Sequence, residues 1–134
     1  MNKVMCFGTF DILHLGHLNY FQQAKEYGDY LIVAVARDKT KNRQKVNTIF
    51  NEEERLQILQ NLKIVDEAIL GDEEDYFKII LDEKPDVICL GYDHKITERE
   101  LKEKLSFLGF EVEIKRMKPF IEKKYKSSLI RKVN

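Results

Sequence analysis

The sequence predicts an α/β fold: a doubly wound, parallel sheet of five strands in a single domain that spans residues 1–134. Short apolar runs and segments of helical periodicity alternate about four times, which is typical of a parallel sheet with helices on both faces. The length of 134 residues fits one hydrophobic core, and the chain has only 2 prolines and no visible linker. In this Rossmann-like arrangement, ligands bind beyond the carboxyl ends of the strands, where the strand order reverses.

Five short runs of apolar residues are predicted strands. The second run is apolar throughout, as expected for a strand that is covered on both faces. The first run ends at Gly8, a residue that commonly marks the end of a strand. The predicted strands are residues 4–7, 30–36, 68–70, 87–90 and 110–114.

Helices are predicted where apolar residues recur at helical spacing between start and stop signals. Asn51 with Glu54, and Thr97 with Glu100, have the spacing of capping boxes that open two of these helices. Residues 37–50 are polar and basic without either period, and are predicted to form a long functional or mobile loop. The predicted helices are residues 17–27, one opening at 51, residues 76–81, one from 97 through 108, and a short one from about 127.

The charge balance of the chain limits what it can bind. Lys and Arg number 23 and Asp and Glu number 23, so the chain as a whole does not attract nucleic acid or an anionic membrane. No apolar run approaches the ~20 residues of a membrane span, and residues 1–7 lack the features of a signal peptide. We therefore expect a soluble cytoplasmic protein. Cys6 and Cys89 lie in apolar runs without metal-binding spacing and are predicted to be buried free thiols.

The loop after the first predicted strand contains residues suited to binding phosphate. Gly8-Thr9-Phe10-Asp11 is followed by His14-Leu15-Gly16-His17 at the start of a predicted helix, where free N–H groups and the helix dipole favour anions. Two of the 3 histidines in the chain stand here. A transition-metal site is one alternative, although no third ligand is near, and a pair of structural loop histidines is another. The position of the pair favours phosphate binding.

Together these two motifs resemble the signature of the cytidylyltransferase-like nucleotidyltransferase superfamily. The resemblance covers nearly the whole chain. Within the superfamily it is strongest to the archaeal FAD synthases, through residues 36–40 and 90–94, and glycerol-3-phosphate cytidylyltransferase is a near relative. Further matching segments are residues 29–38, Lys45, Glu54 with Arg55, residues 65–67 and residues 91–93.

The resemblance implies that the chain is a nucleotidyltransferase. A phosphomonoester oxygen attacks the α-phosphorus of a nucleoside triphosphate and pyrophosphate leaves, with alignment and charge neutralisation supplying the catalysis. The implied substrates are ATP and FMN, which give FAD, and CTP with glycerol 3-phosphate or another small phosphomonoester is the alternative. An alternative of another class is a non-catalytic nucleotide-binding sensor domain. The implied cofactor is Mg²⁺, or another divalent cation, held mostly by triphosphate oxygens, and the implied assembly is a homodimer.

The same resemblance assigns roles around the triphosphate. His14 and His17 would contact its phosphates and stabilise the charge that develops in the transition state. The backbone groups of Thr9 and Phe10 would hold the α-phosphate. Lys45, in the basic loop after the second predicted strand, would be a third catalytic residue, and a solvated loop lysine is the alternative.

Other candidate residues would lie near the acceptor and the nucleoside. Asp11 would orient the acceptor or a metal-bound water, or else cap the turn. Asp38 would bind a ribose hydroxyl or assist on the acceptor side, or else be a plain acid at a strand end. Gly91, Tyr92 and Asp93 follow the fourth predicted strand and would meet the base and the ribose, with ordinary packing as the alternative for Tyr92.

The remaining candidates lie on the second half of the chain and at the start of one helix. Ser127 and Ser128 match a Ser/Thr-rich turn that binds the triphosphate in the resembling family, while Lys126 departs from it. Arg55 opens a helix, where the dipole disfavours a cation, so we expect an anionic partner, either substrate or a dimer mate; a surface ion pair is the alternative. His94 is predicted to be a surface residue without a catalytic role.

Overall fold

The structure is a computed structural model, which describes residues 2–44, 46–72 and 75–120. Strands and helices alternate along the chain, with one additional short helix in the first half. The elements are β1 Lys3–Gly8, α1 Leu15–Lys25, β2 Tyr30–Val35, α2 Asp38–Arg43, α3 Glu52–Gln60, β3 Glu67–Leu70, α4 Tyr76–Glu83, β4 Val87–Leu90, α5 Glu98–Phe107 and β5 Glu113–Arg116.

The five strands form one parallel sheet in the order β3-β2-β1-β4-β5. β1 lies at the centre, with Cys6 opposite Val33 of β2 on one side and Cys89 of β4 on the other. The chain first builds outward through β2 and β3, and then crosses back to place β4 and β5 beyond β1. The strand order therefore reverses between β1 and β4, which is where such sheets open a binding crevice. The predicted five-stranded, Rossmann-like α/β fold is confirmed.

Helices cover both faces of the sheet and close a hydrophobic core on each. Because strand residues alternate between the faces, Val4 and Cys6 pack on one side while Met5 and Phe7 pack on the other. The helical residues buried in these cores are Phe21 and Ala24 of α1 and Leu59 of α3 on the first face, and Ile80 of α4 and Leu101 and Leu105 of α5 on the second. Because the strands are packed on both faces, their carboxyl ends, which carry the residues of the site, are held in fixed positions.

Both predicted capping boxes are present. The Asn51 side chain accepts the Glu54 N–H (2.9 Å) and the Glu54 side chain accepts the Asn51 N–H (3.1 Å), at the start of α3. Thr97 and Glu100 make the same pair of bonds before α5. These bonds satisfy N–H groups that have no partner inside a helix. Within the described ranges, none of the helices is long and apolar enough to cross a bilayer.

The fifth strand lies later in the chain than predicted. It occupies Glu113–Arg116 and not residues 110–114. The Phe110 N–H still donates to the Leu105 carbonyl at the end of α5 (2.9 Å), and Val112 is buried in the second core before strand pairing begins. β5 is an edge strand in which exposed and half-buried residues alternate. Three of its four residues are charged, so the sequence shows no apolar run at this position.

The segment of residues 37–50 is less irregular than predicted, because it contains α2. None of the α2 side chains is buried, so the helix has no apolar period that the sequence could reveal. Two reciprocal hydrogen bonds fix its start to the start of α3: the Asp38 N–H donates to Glu52 (2.9 Å), and the Glu52 N–H donates to Asp38 (3.0 Å). The helix that the sequence predicts from about residue 127 lies outside the described residues.

Candidate active site

A cleft of about 1190 Å³ opens at the carboxyl edge of the sheet. It lies where β1 and β4 part, because their pairing ends at Cys6 and Cys89 although β1 continues to Gly8. This is the place where doubly wound sheets bind their ligands. The predicted site residues that line the cleft are Thr9, Phe10, Asp11, His14, His17, Gly91, Tyr92 and Asp93. The cationic residues that line it are Arg37, Lys41, Arg43, Lys95 and Lys118.

Two side chains bridge the gap between the ends of β1 and β4. The Tyr20 hydroxyl accepts the Phe7 N–H (3.3 Å) and donates to the Cys89 carbonyl. His94 accepts the Gly91 N–H at Nδ1 (3.0 Å), and its imidazole also hydrogen bonds to the backbone of Phe7. The prediction that His94 is a surface residue is wrong, because the ring is inserted between two strand ends and lines the cleft. Its hydrogen-bond partners are backbone groups of Gly91 and Phe7, and the pattern of residue types in a sequence does not reveal such contacts.

The turn after β1 holds its backbone in an unusual conformation. Phe10 has φ +54°, which lies in the left-handed region that residues other than glycine seldom adopt. A Cβ at Gly8 would lie 2.6 Å from the Phe10 ring, so only glycine leaves room for that ring. The Phe10 ring is buried and meets the His17 imidazole edge-on at 5.4 Å. Among the described residues, no acceptor pairs with the N–H groups of Thr9 and Phe10, which leaves both as donors for an anion.

His14 and His17 are locked to each other at the start of α1. His14 is the N-cap residue: its Nδ1 accepts the Gly16 N–H (3.1 Å), and Nδ1 of His17 accepts the His14 N–H (3.3 Å). The two rings stack with centroids 4.0 Å apart. A ring nitrogen that accepts an N–H carries no proton, so in each neutral imidazole the proton resides on Nε2. Each ring therefore presents an Nε2–H donor, which suits a phosphate oxygen.

The electrostatics of the pair follow from its burial. Burial, and then the neighbouring His14, lowers the pKa of His17 to about 3. Burial also lowers the pKa of His14. At neutral pH both imidazoles are therefore uncharged, and a bound polyanion would raise each pKa because it favours the charged form. The Nε2–H tautomer offers no lone pair to a metal there, and the described part of the chain contains no cluster of three candidate metal ligands.

Arg55 is fully buried beneath the turn and donates in four directions. Nη1 donates to the carbonyls of Thr9 (2.9 Å) and Ala36 (2.7 Å), Nη2 to the Asp38 carboxylate (2.7 Å), and Nε to the Phe50 carbonyl (3.1 Å). The expected anionic partner outside the chain, and the alternative of a surface ion pair, are both wrong because the guanidinium faces inward. Arg55 joins the segments that follow β1 and β2 to the segment that precedes α3.

Two aspartates predicted to act on the substrate have protein partners. Both oxygens of the buried Asp11 accept backbone N–H groups, from Ile49 (2.8 Å) and Phe50 (2.9 Å), so Asp11 ties the turn to the segment before α3. Asp38 is not among the residues that line the cleft. Desolvation acts to raise the pKa of Asp38, but hydrogen bonds from the Glu52 N–H and Arg55 lower it on balance.

Arg116, the last residue of β5, holds the loop after β4. It donates to the carbonyls of Gly91 (2.8 Å), His94 (2.9 Å) and Ile96 (2.7 Å), and it pairs with Glu98 (2.6 Å). This loop carries Tyr92 and Asp93 into the cleft. Nothing in the sequence pattern singled out Arg116, because backbone carbonyls are supplied by any residue type.

Three of the predicted site residues lie outside the described residues. They are Lys45, Ser127 and Ser128. Their assignment to the triphosphate therefore stays a prediction.

Residues 5–133 match the family model described as cytidylyltransferase-like, which covers nearly the whole chain. The chain belongs to the cytidylyltransferase-like family. The family resemblance stated from the motifs after β1 is therefore confirmed over the length of the chain.

Cytidylyltransferase-like relatives of this chain include proteins named FAD synthase. The one from Thermoplasma volcanium is 46% identical over 132 residues, which are 98% of this chain and 93% of the relative. The one from Ferroglobus placidus is 50% identical over 118 residues, which are 88% of this chain and 77% of the relative.

Two solved structures resemble this chain in fold. A Thermoplasma volcanium structure described as a lipopolysaccharide core biosynthesis protein has a TM-score of 0.88 and 48% identity, covering 90% of this chain and 98% of its own. A pantoate-β-alanine ligase from Francisella tularensis has a TM-score of 0.60 and 18% identity, covering 97% of this chain and 68% of its own, and shares the fold alone. The chain and the first of these structures therefore share one fold over most of their lengths.

Proposed function

We propose that this cytidylyltransferase-like protein is an FAD synthase, which transfers AMP from ATP to the phosphate of FMN and releases pyrophosphate. The observation that carries the proposal is the stacked pair of His14 and His17, which presents two Nε2–H donors at an anion-favouring helix start. The pair supports the reaction without selecting an acceptor. Relatives named FAD synthase, from 42% to 50% identical over most of this chain, support FMN as that acceptor.

The reaction needs alignment more than it needs a base. The FMN phosphate is already ionised near neutral pH, so its oxygen attacks the α-phosphorus of ATP directly, and the bond to the leaving pyrophosphate breaks in line. Negative charge rises on the phosphate oxygens in the transition state. In the proposed mechanism, the Thr9 and Phe10 N–H groups hold the α-phosphate, and the Nε2–H groups of His14 and His17 offset the rising charge.

The lining of the cleft supports a large, flat acceptor over a small one. Half-buried apolar side chains on α4 and in the loop before α5 line one part of it, beside the buried ends of β1 and β2, and glycerol 3-phosphate would leave the half-buried side chains in contact with water. The isoalloxazine ring of FMN would cover such a surface, which favours binding through the hydrophobic effect. The half-buried residues are Phe77, Ile79 and Ile96, and the buried ones beside them are Phe7 and Ala34.

Mg²⁺ is the proposed cofactor. This ion prefers oxygen ligands, keeps several waters and is usually bound through substrate phosphates, where it neutralises charge on the leaving pyrophosphate. The cleft fits that requirement, because the carboxylates of Asp11, Asp72 and Asp93 are among its lining. Both oxygens of Asp11 already accept backbone N–H groups. The Asp72 carboxylate accepts the Asp75 N–H and pairs with Lys78. Asp93 is therefore the residue better able to hold a water of the ion.

The test is a substrate panel with the purified protein and Mg²⁺. With ATP and FMN we expect equal amounts of FAD and pyrophosphate, separated by chromatography. CTP with glycerol 3-phosphate is the competing pair, and turnover of that pair alone would overturn the proposal. Tight binding of nucleotide without turnover of any pair would instead support the sensor-domain alternative.

A homodimer is the proposed assembly, as the family resemblance implies. Sedimentation equilibrium should then give about twice the chain mass of 15.9 kDa. A mass near 15.9 kDa across the micromolar range would contradict the dimer without affecting the proposed reaction.

A further inference from the structure

We propose that Arg55 is a positioning residue, which aims the N–H group of Phe10 at the α-phosphate by holding the carbonyl of the same peptide unit. The inference rests on the proposed function in one respect only, namely that the turn after β1 binds a nucleotide phosphate. Arg55 itself does not touch substrate, because it is 0% exposed and is not among the residues that line the cleft.

The geometry of one peptide unit carries the inference. The Thr9 carbonyl and the Phe10 N–H belong to the same peptide, which is trans like every other described peptide of the chain. In a trans peptide the C=O and the N–H point in opposite directions. The Thr9 carbonyl points at the buried guanidinium of Arg55 (2.9 Å to Nη1), so the Phe10 N–H points away from the protein interior, where the turn faces the cleft.

The reverse orientation would work against an anion. If this peptide flipped, the Thr9 carbonyl oxygen would face the phosphate, and a binding donor would become a repelling dipole. The flip is a real alternative because Phe10 has φ +54°, a region that is unfavourable for an L-residue with a side chain. The observed orientation therefore needs a compensating contact. The Arg55 bond to Thr9 supplies it.

A guanidinium is suited to this task and an ammonium is not. Nη1 of Arg55 spans the Thr9 and Ala36 carbonyls, while Nη2 and Nε reach Asp38 and Phe50 in other directions. These donors lie in one rigid plane, so three segments of chain are held at fixed separations. A lysine carries a compact charge with no such plane and would lose at least part of this set.

The first experiment compares Arg55→Lys and Arg55→Met with Leu59→Ala as a matched control. Leu59 is also fully buried and lies one turn further along α3, but it packs in the core and makes no bond to the turn. All proteins are assayed well below their melting temperatures. We expect kcat to fall about tenfold or more in both Arg55 variants, as for the loss of one oriented donor to the transition state. We expect the KM for ATP to change less than kcat in these variants, and Leu59→Ala to keep kcat near the wild-type value despite its lower stability.

The second experiment observes the peptide directly and does not depend on turnover. In protein labelled with ¹⁵N-phenylalanine, addition of a non-hydrolysable α,β-methylene analogue of ATP should shift the wild-type Phe10 amide proton downfield, as a new hydrogen bond to phosphate requires. The shift should be lost or strongly reduced in Arg55→Lys. The wild-type measurement stands even where an Arg55 variant does not fold.

The outcomes separate the failure of this inference from the failure of the proposed function. The inference is overturned if the chemical shift of the wild-type Phe10 amide proton does not change when the nucleotide analogue is added. It is also overturned if the Arg55→Lys variant keeps the wild-type kcat. A fall in kcat no larger than that of Leu59→Ala also overturns it. If the Phe10 amide responds to nucleotide but the wild type forms no FAD, the acceptor is wrong and the role of Arg55 stands.

Discussion

At the scale of single residues, the backbone decides what each imidazole of the pair can do. The Nδ1 atoms of His14 and His17 are occupied by N–H groups, so each ring is fixed as a donor at Nε2. A neutral imidazole in that tautomer cannot remove a proton through Nε2. The pair is therefore unsuited to general-base catalysis at this position, which agrees with a reaction whose nucleophile is already ionised.

Replacing His17 with asparagine should remove the donor and keep the local fold. The Asn side-chain oxygen can still accept the His14 N–H that Nδ1 accepts now, but nothing reaches the phosphate in place of Nε2–H. We expect kcat to fall roughly 10²–10³-fold in steady-state assays of FAD formation. Gln22→Ala, on the exposed side of the same helix, is the control and should keep the wild-type kcat. A loss under tenfold in His17→Asn would contradict the assigned role.

The same substitution should change how stability depends on pH. In the unfolded chain a histidine ionises near 6.5, whereas burial holds the pKa of His17 at about 3 in the folded protein. Between these values the unfolded chain binds more protons, so the free energy of unfolding falls as the pH falls. We expect His17→Asn to lose less stability than wild type between pH 7 and pH 5, by about 1–2 kcal/mol in urea unfolding.

His94 is common to both proteins and cancels in this comparison, whereas His14 stacks on His17, so the difference reports on the pair. Equal acid sensitivity of wild type and His17→Asn would mean that His17 is protonated normally in the folded state.

Single residues were predictable from sequence where the chemistry is local. His14 and His17 stand together in one motif, and the structure places both at the cleft. The predictions for Arg55 and His94 are wrong because each side chain has a backbone partner far along the chain, the Thr9 carbonyl for Arg55 and the Phe7 backbone for His94. Such contacts depend on the fold and leave no pattern in residue types.

At the scale of elements, the parting of β1 and β4 creates the space for substrate, and Tyr20 holds the two ends in place. Tyr20→Phe keeps the ring but leaves the Phe7 N–H and the Cys89 carbonyl without their bridge. We expect a loss of about 1–3 kcal/mol in the free energy of unfolding, measured with urea. Tyr30→Phe, which removes only an edge contact to Glu67, is the control and should lose less. Equal losses of unfolding free energy in the two variants would show that the Tyr20 bridge stabilises the protein no more than an edge contact does.

Elements were predictable in proportion to how much apolar surface they bury. The first four strands carry continuous apolar runs, and the structure places a strand in each of them. Edge strand β5 and the polar helix α2 bury little, so their sequences lack the apolar runs that mark the other strands and helices. α2 is fixed instead by the reciprocal bonds between Asp38 and Glu52, a contact between elements that local sequence does not encode.

At the scale of the whole molecule, the rise in melting temperature that each ligand causes should show which ligands the protein binds. A ligand at one hundred times its Kd adds about 2.7 kcal/mol to the free energy of unfolding. We expect ATP with Mg²⁺ and FMN each to raise the melting temperature by several degrees, measured by differential scanning calorimetry. CTP and glycerol 3-phosphate serve as the matched pair and should raise it less. A larger rise with that pair would favour the cytidylyltransferase alternative.

The central place of β1 also has a consequence during protein synthesis. The ribosome makes β1 and the two histidines well before β4, which pairs with β1 and forms a wall of the cleft. Arg116, which holds the loop after β4, comes later still. A nascent or prematurely terminated chain therefore carries the whole histidine motif without a cleft to hold a nucleotide. We therefore expect a chain that stops before β4 to bind nucleotide poorly, and binding to require that β4 and Arg116 have been made.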